Sequence, residues 1–273
     1  MPTANPQAAL AASNGGHPET EPAVKTAPVL ILAALAATLS AVAAAQPTPE
    51  ACAAAEAQRE MRALSSFNRV EIIGAAEVVL RQGKTEGATV EAPAGLLPHI
   101  LTMVRSRTLY IDISQHRRWS DWTHMFGAQP PTRVTVDFIR LDSIEAGGAI
   151  KLSADGLRAD DLQLDFSGAS TVKISNLQAS KLSFEGSGAT KVDLSGKVVS
   201  QAVELSGAGA YSAMALQSDR AEVHVSGAGK AYVNVKTSLT VEISGAGLVE
   251  YSGNPKLEQD ITGIGKVRRR EPD

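Results

Sequence analysis

The sequence predicts an all-β chain, a right-handed β-helix or solenoid of coils about 18–20 residues long with an irregular N-terminal capping region. Three observations predict it. Glycine in a Ser-Gly-Ala-like context recurs at Gly148, Gly168, Gly188, Gly207, Gly227, Gly245 and Gly263, in steps of 20, 20, 19, 20, 18 and 18 residues, with an eighth copy upstream at Gly74. Apolar residues fall at even offsets from these glycines, the period of a half-buried strand and not of a helix. The core composition is aliphatic, with 44% hydrophobic but only 4% aromatic residues.

Two residues before the glycine stand Ile72, Phe166, Leu205, Val225, Ile243 and Ile261; four after it stand Val78, Leu152, Val172, Val192, Tyr211, Val249 and Val267. Each repeat therefore reads as strand, glycine corner, strand. Twenty residues at roughly 3.3 Å each trace about 66 Å, too long for one strand and suited to one turn of a coil. Stacked coils bury together an interior that no single repeat can bury, and right-handedness follows the general preference of parallel crossovers. The glycine supplies a backbone angle that other residues adopt only at a cost, and the alanine beside it keeps the bend narrow.

In chain order, residues 1–23 carry acids and no Lys or Arg, unlike the positive start of a signal peptide. They read as an untranslated or disordered leader, with translation beginning at Val24. Residues 24–45 read as the signal peptide, ending in Ala43-Ala44-Ala45, and the competing reading is an uncleaved membrane anchor. Residues 46–64 read as a linker with room for a short helix, and 65–270 as the solenoid domain. Within it, 81–139 hold irregular coils and an excursion that caps the stack, because an open end exposes strand edges. Three strand-like runs mark that region, "ATVEA", "TLYIDIS" and "RVTVDFI". Residues 140–270 hold the regular repeats.

The net charge of −3 argues against a nucleic-acid binder, since phosphate contacts need a basic face, and the one basic cluster is Arg268-Arg269-Arg270. The single Cys52 makes no intramolecular disulfide and surrounds itself with no lipoprotein pattern.

The segments "VEIIGAAEVVLRQG", the iterated "SGA" and the terminal "LTVEISGAGLVEYSGNPKLEQDITGIGKVRR" resemble the head GIN domain of auto-transporter adhesins, a bacterial family of unknown function. The resemblance spans about residues 65–270. It implies a β-helical fold and an exported location in the periplasm, the outer envelope or the extracellular space. It supplies no catalytic residues and no cofactor, and no part of the sequence reads as the translocating barrel of an autotransporter.

Odd offsets face solvent. Three before the glycine stand Glu71, Glu145, Asp165, Glu185, Glu204, His224, Glu242 and Asp260, acids in seven of eight copies. One before it stand Ser167, Ser187, Ser206, Ser226, Ser244 and Thr262. Stacking turns these into an acidic and a hydroxyl ladder with rungs about 4.8 Å apart. Neighbouring carboxylates at that spacing repel by about 0.9 kcal/mol even in water. Lys151, Lys191, Lys230 and Lys266, three after the glycine, are expected to bend back and pair with them. The ladders are then either a solvated, internally compensated face or a linear binding surface for a divalent cation or a basic or hydroxyl-rich polymer.

His116, Asp121 and His124 match no metal-ligand spacing, so no metal site is expected. Arg117, Arg118, Trp119 and Trp122 form a candidate docking loop whose competing role is to cap the solenoid end. Uniform repetition of the polar positions favours a binding or scaffolding surface over a catalytic centre. The expectation is an exported, non-enzymatic binding or scaffold protein whose partner is an envelope polymer or a cell-surface protein. Contact with a membrane would come only through an uncleaved anchor. Two alternatives stay open, a polysaccharide-active β-helix enzyme and a self-assembling homo-oligomer.

Overall fold

The computed structural model describes residues 57–114 and 131–270, all within the second of the chain's two units, Glu50–Asp273. The expected leader and signal peptide, Cys52, and the docking-loop residues Arg117, Arg118, Trp119 and Trp122 lie outside the described residues.

The described chain is a β-solenoid of about six turns. Its coils are β2 (Arg69–Gln82), β7 (Ser143–Asp155), β8 (Arg158–Gly168), β9 (Thr171–Gly188), β10 (Lys191–Gly207), β11 (Ala210–Gly227) and β12 (Lys230–Gly245), closed by β13 (Leu248–Ser252), β14 (Lys256–Gly263) and β15 (Lys266–Arg269). From β7 onward successive coils pair in parallel. The eight glycines stand in one column: Gly74 pairs with Gly148, Gly148 with Gly168, and so on to Gly263.

That column is sterically fixed. Gly207 has φ +132°, and a Cβ placed on it would lie 2.7 Å from the carbonyl oxygen of Gly188 in the coil below. The same carbonyl accepts a hydrogen bond from the amide of Ala208 at 3.0 Å. The alanine thus carries the ladder round the bend, and its small side chain points to solvent.

Two more bends complete each coil, and the single-corner reading of the repeat missed both. One carries positive φ at Gly156, Asn176 and Gly196, in steps of 20 residues. The other falls where pairing skips Ser180 and Val199. In the β10 coil, one residue shorter, Gly196 pairs with Leu177 and Leu216, so no leucine occupies that corner. An open groove of about 630 Å³ lies there, lined by Arg158, Gln178, Lys197 and Val199 among others.

The interior is one continuous column of Val, Ile and Leu, with Phe166, Phe184 and Tyr211 stacked at ring separations of 6.3 and 5.3 Å. Gly186, where every other coil carries a larger residue two before the corner, leaves room for the Phe184 ring. One polar chain threads this core: Tyr211 donates to Gln201 Oε1 at 3.0 Å, Gln201 to Ser218 Oγ at 2.8 Å, and Ser218 to the Asn234 carbonyl at 2.9 Å.

The N-terminal region is a cap, as its broken period predicts, and all three strand-like runs are strands: β3 (Gly87–Pro93), β5 (Thr108–Asp112) and β6 (Arg133–Phe138). β5 and β6 each pair in parallel with one half of β2, so the coil that comes first in sequence is sandwiched between them and β7. β4 (Leu101–Arg105) folds back on β5 through Ser106 and Arg107, both at positive φ, the pattern of a tight hairpin turn. Ala57–Ala63, expected to be linker with room for a helix, is instead strand β1, antiparallel to β3. Arg62 anchors it through the Ile100 carbonyl and Thr102 Oγ1.

Two outcomes test this packing by urea unfolding. Gly207→Ala is expected to cost about 1–3 kcal/mol from backbone strain alone, while Ala208→Ser stays within about 0.5 kcal/mol. Tyr211→Phe is expected to cost about 1–3 kcal/mol, because it leaves the buried Gln201 oxygen without its donor.

Candidate functional site

The outward residues of the strand half preceding the glycine corner form the expected ladders. Pairing aligns Glu71, Glu145, Asp165, Glu185, Glu204, His224, Glu242 and Asp260 in one unbroken column. Two residues on, Ser167, Ser187, Ser206, Ser226, Ser244 and Thr262 form the second, every one exposed. The column begins differently at the cap, with Ile73 and Gly147 at the hydroxyl position.

The lysines do not pair with these acids. Lys151 Nζ bonds Glu77 Oε1 at 2.8 Å, and Arg133 takes the other oxygen at 2.9 Å. Together, Lys151 foremost, they hold the Glu77 carboxyl below its ordinary value. Lys191, Lys230 and Lys266 have no ion-pair partner among the described residues, nor have Asp165, Glu185, Glu204 and Asp260. The reason is geometric. The lysines lie beyond the corner on a strand half that faces a different direction, so a side chain three residues past the glycine leaves the acidic face behind.

Compensation comes instead from His224, the one ladder position that is not acidic. Its Nδ1 meets Glu242 Oε2 and its Nε2 meets Glu222 Oε1, both at 2.9 Å. The hydrogen bond to Glu222, with that to Glu242 adding to it, raises the imidazole pKa above its ordinary value against partial desolvation. Sequence reading placed His224 in the column as an exception. Its role depends on Glu222, an outward residue on the same strand and outside both predicted ladders.

Among the described residues no group of three or more His, Cys, Asp and Glu side chains converges as a metal site, and no helix is long and apolar enough to cross a membrane.

The family model described as "Putative auto-transporter adhesin, head GIN domain" matches residues 66–255. The chain belongs to this family. Solved structures share the fold of this GIN-domain chain. A structure described as a "putative adhesin" from Bacteroides fragilis has a TM-score of 0.71 at 20% identity, and one described as a "Putative lipid binding protein" from Parabacteroides distasonis a TM-score of 0.61 at 16%; each comparison covers 79% of this chain and 97% of the other. A second P. distasonis structure, described as a "putative adhesin", aligns with a TM-score of 0.58 at 18% identity over the same shares. No curated protein matches the sequence. The likeness extends to the fold of the GIN domain, and the broken charge compensation described above is read from this chain's own residues.

The histidine gives a pH test. Because its pKa is raised in the folded state, its stabilising contribution is fully present below the unfolded value of about 6.5 and is lost as pH rises through the folded value. Melting temperatures of the natural chain and His224→Gln are expected to differ most in acid and to converge in alkali. A gap independent of pH contradicts the assignment.

Proposed function

We propose that this GIN-domain chain is an exported, non-enzymatic binding or scaffolding module of the bacterial envelope that works through its acidic and hydroxyl ladders. One observation carries the reading. From Asp165 to Asp260 an exposed acid repeats in fixed register on every coil but that of His224, with a hydroxyl two residues on in each, and the acids Asp165, Glu185 and Glu204 are without ion pairs among the described residues. A catalytic centre needs a few dissimilar groups converging on one reacting atom. A ladder offers the same group many times over, which suits a polymeric or repetitive partner and makes affinity grow with the number of rungs engaged.

Family membership supports the adhesin-like sense of this role and the exported location. The chemistry that fits the face is a partner presenting repeated amines or hydroxyls, since carboxylates accept hydrogen bonds from both and attract cations. The test is calorimetric titration with glucosamine oligomers of increasing length, alongside neutral glucose oligomers of matched length, and sedimentation of the chain with washed envelope fragments. Binding that strengthens with oligomer length, and falls about tenfold or more in Glu185→Gln/Glu204→Gln/Glu242→Gln, is expected. Equal binding by the natural chain and the triple variant to both oligomers and envelopes would overturn the ladder as the site. Turnover of a glycan abolished by a single substitution would overturn the non-enzymatic reading.

A further inference from the structure

The two strand halves that meet at the glycine corner carry opposite charge on one strand lattice, the lysines at twice the spacing of the acids. Before the corner, the acidic column presents a carboxylate on seven of eight coils. After it, position +3 reads Glu77, Lys151, Thr171, Lys191, Ala210, Lys230, Leu248 and Lys266 in one paired column, so lysines fall on alternate coils about 9.6 Å apart. Apart from Lys151, held by Glu77, those lysines have no ion-pair partner among the described residues. A comb of cations and a comb of anions thus sit side by side on one rod, facing different directions, and apart from Lys151 with Glu77 and Glu242 with His224 their members have no ion-pair partner among the described residues.

We propose that the partner of the acidic face is the lysine face of a second copy of this chain. This rests on the reading of the ladder face as an interaction surface and names its occupant. Charge complementarity favours it, and so does spacing. Both combs are cut on the same parallel-strand lattice, so each lysine of one copy meets every second acid of the next without any adjustment of pitch. Lys191, Lys230 and Lys266 of one copy face three of the column's carboxylates in the other, and the residues between them, Ala210 and Leu248, are shorter than the lysines they separate.

The three lysines span about 19 Å along the rod, and at about 20 Å across the contact covers roughly 400 Å² a side by strand geometry, the small size of a weak, transient interface. It joins two different faces, so it is heterologous, and each pair keeps one acidic and one lysine face free to continue. The product is a reversible, side-by-side array, held chiefly by charge and therefore sensitive to salt.

Sedimentation velocity of the full chain over a range of concentrations tests this. Association is expected near 0.01 M salt and is expected to weaken by about tenfold or more toward 1 M, as the Debye length contracts from about 30 Å to about 3 Å. Lys191→Glu/Lys230→Glu/Lys266→Glu and Glu185→Lys/Glu204→Lys/Glu242→Lys are each expected to be monomeric alone, with circular dichroism confirming the fold. Mixed together they are expected to associate, because each supplies the face the other lacks. Lys191→Gln/Lys230→Gln/Lys266→Gln, a milder change on the same face, is expected to weaken association without abolishing the fold.

A natural chain that stays monomeric at low salt overturns the proposal, as does association indifferent to salt or a mixture that fails to associate. Retained binding to glucosamine oligomers or envelopes by a monomeric natural chain would leave the ladder reading standing while removing the second copy as its partner.

Discussion

Everything in this fold hangs on a close approach of backbone to backbone. At each corner from Gly148 to Gly263 a Cβ would lie between 2.2 and 2.7 Å from the carbonyl oxygen of the glycine one coil below. No side chain fits that gap, and the positive φ excludes most L residues even where space exists. The same carbonyl takes the amide of the residue after the next glycine, at 2.8 to 3.0 Å. Contact and hydrogen bond together allow one register only. A slip of one residue would turn every Val, Ile and Leu of a coil outward and every carboxylate inward.

Register locked at the corner has an electrostatic consequence. Any outward position repeated in sequence becomes a column in space, so like charges line up whether or not that is favourable. Here the cost in the acidic column is lowered at one rung by His224, bridging Glu222 and Glu242, and otherwise left to solvent or to a partner. The corner also divides the charge. Residues three before and three after the glycine are close in sequence and sit on faces of different orientation, so the lysines that look like internal counter-ions are not. Along the ladder face the coils present rows of repeated groups, and the functional reading follows from that geometry.

The inward columns and the ladders were legible because strand periodicity needs only composition at fixed offsets. So was the cap, from the lapse of the repeat between Gly74 and Gly148. The second bend left a fainter trace, Gly156, Asn176 and Gly196 at the same step, which a search for one glycine context passes over because asparagine takes the middle place. Strand β1 was not legible: "AQREMRA" is polar and nearly all exposed, and it is strand because β3 offers an edge and Arg62 is held by the loop beyond it. The threaded Tyr211, Gln201 and Ser218 chain was hidden for a related reason, since Gln201 of one coil reaches Tyr211 and Ser218 of the next only through stacking.

The sequence alone determined that this chain stacks coils of about twenty residues, which residues face inward, and which polar groups align, since all of these follow from spacing along one strand path. Tertiary structure decided which aligned groups touch. Lys151 finds Glu77, Lys191 and Lys230 find no counter-ion among the described residues, and β2 lies between β5, β6 and β7 rather than at the end of the stack. Those outcomes depend on the directions in which three bends aim successive faces, and direction is a property of the closed coil that offsets from a glycine do not contain.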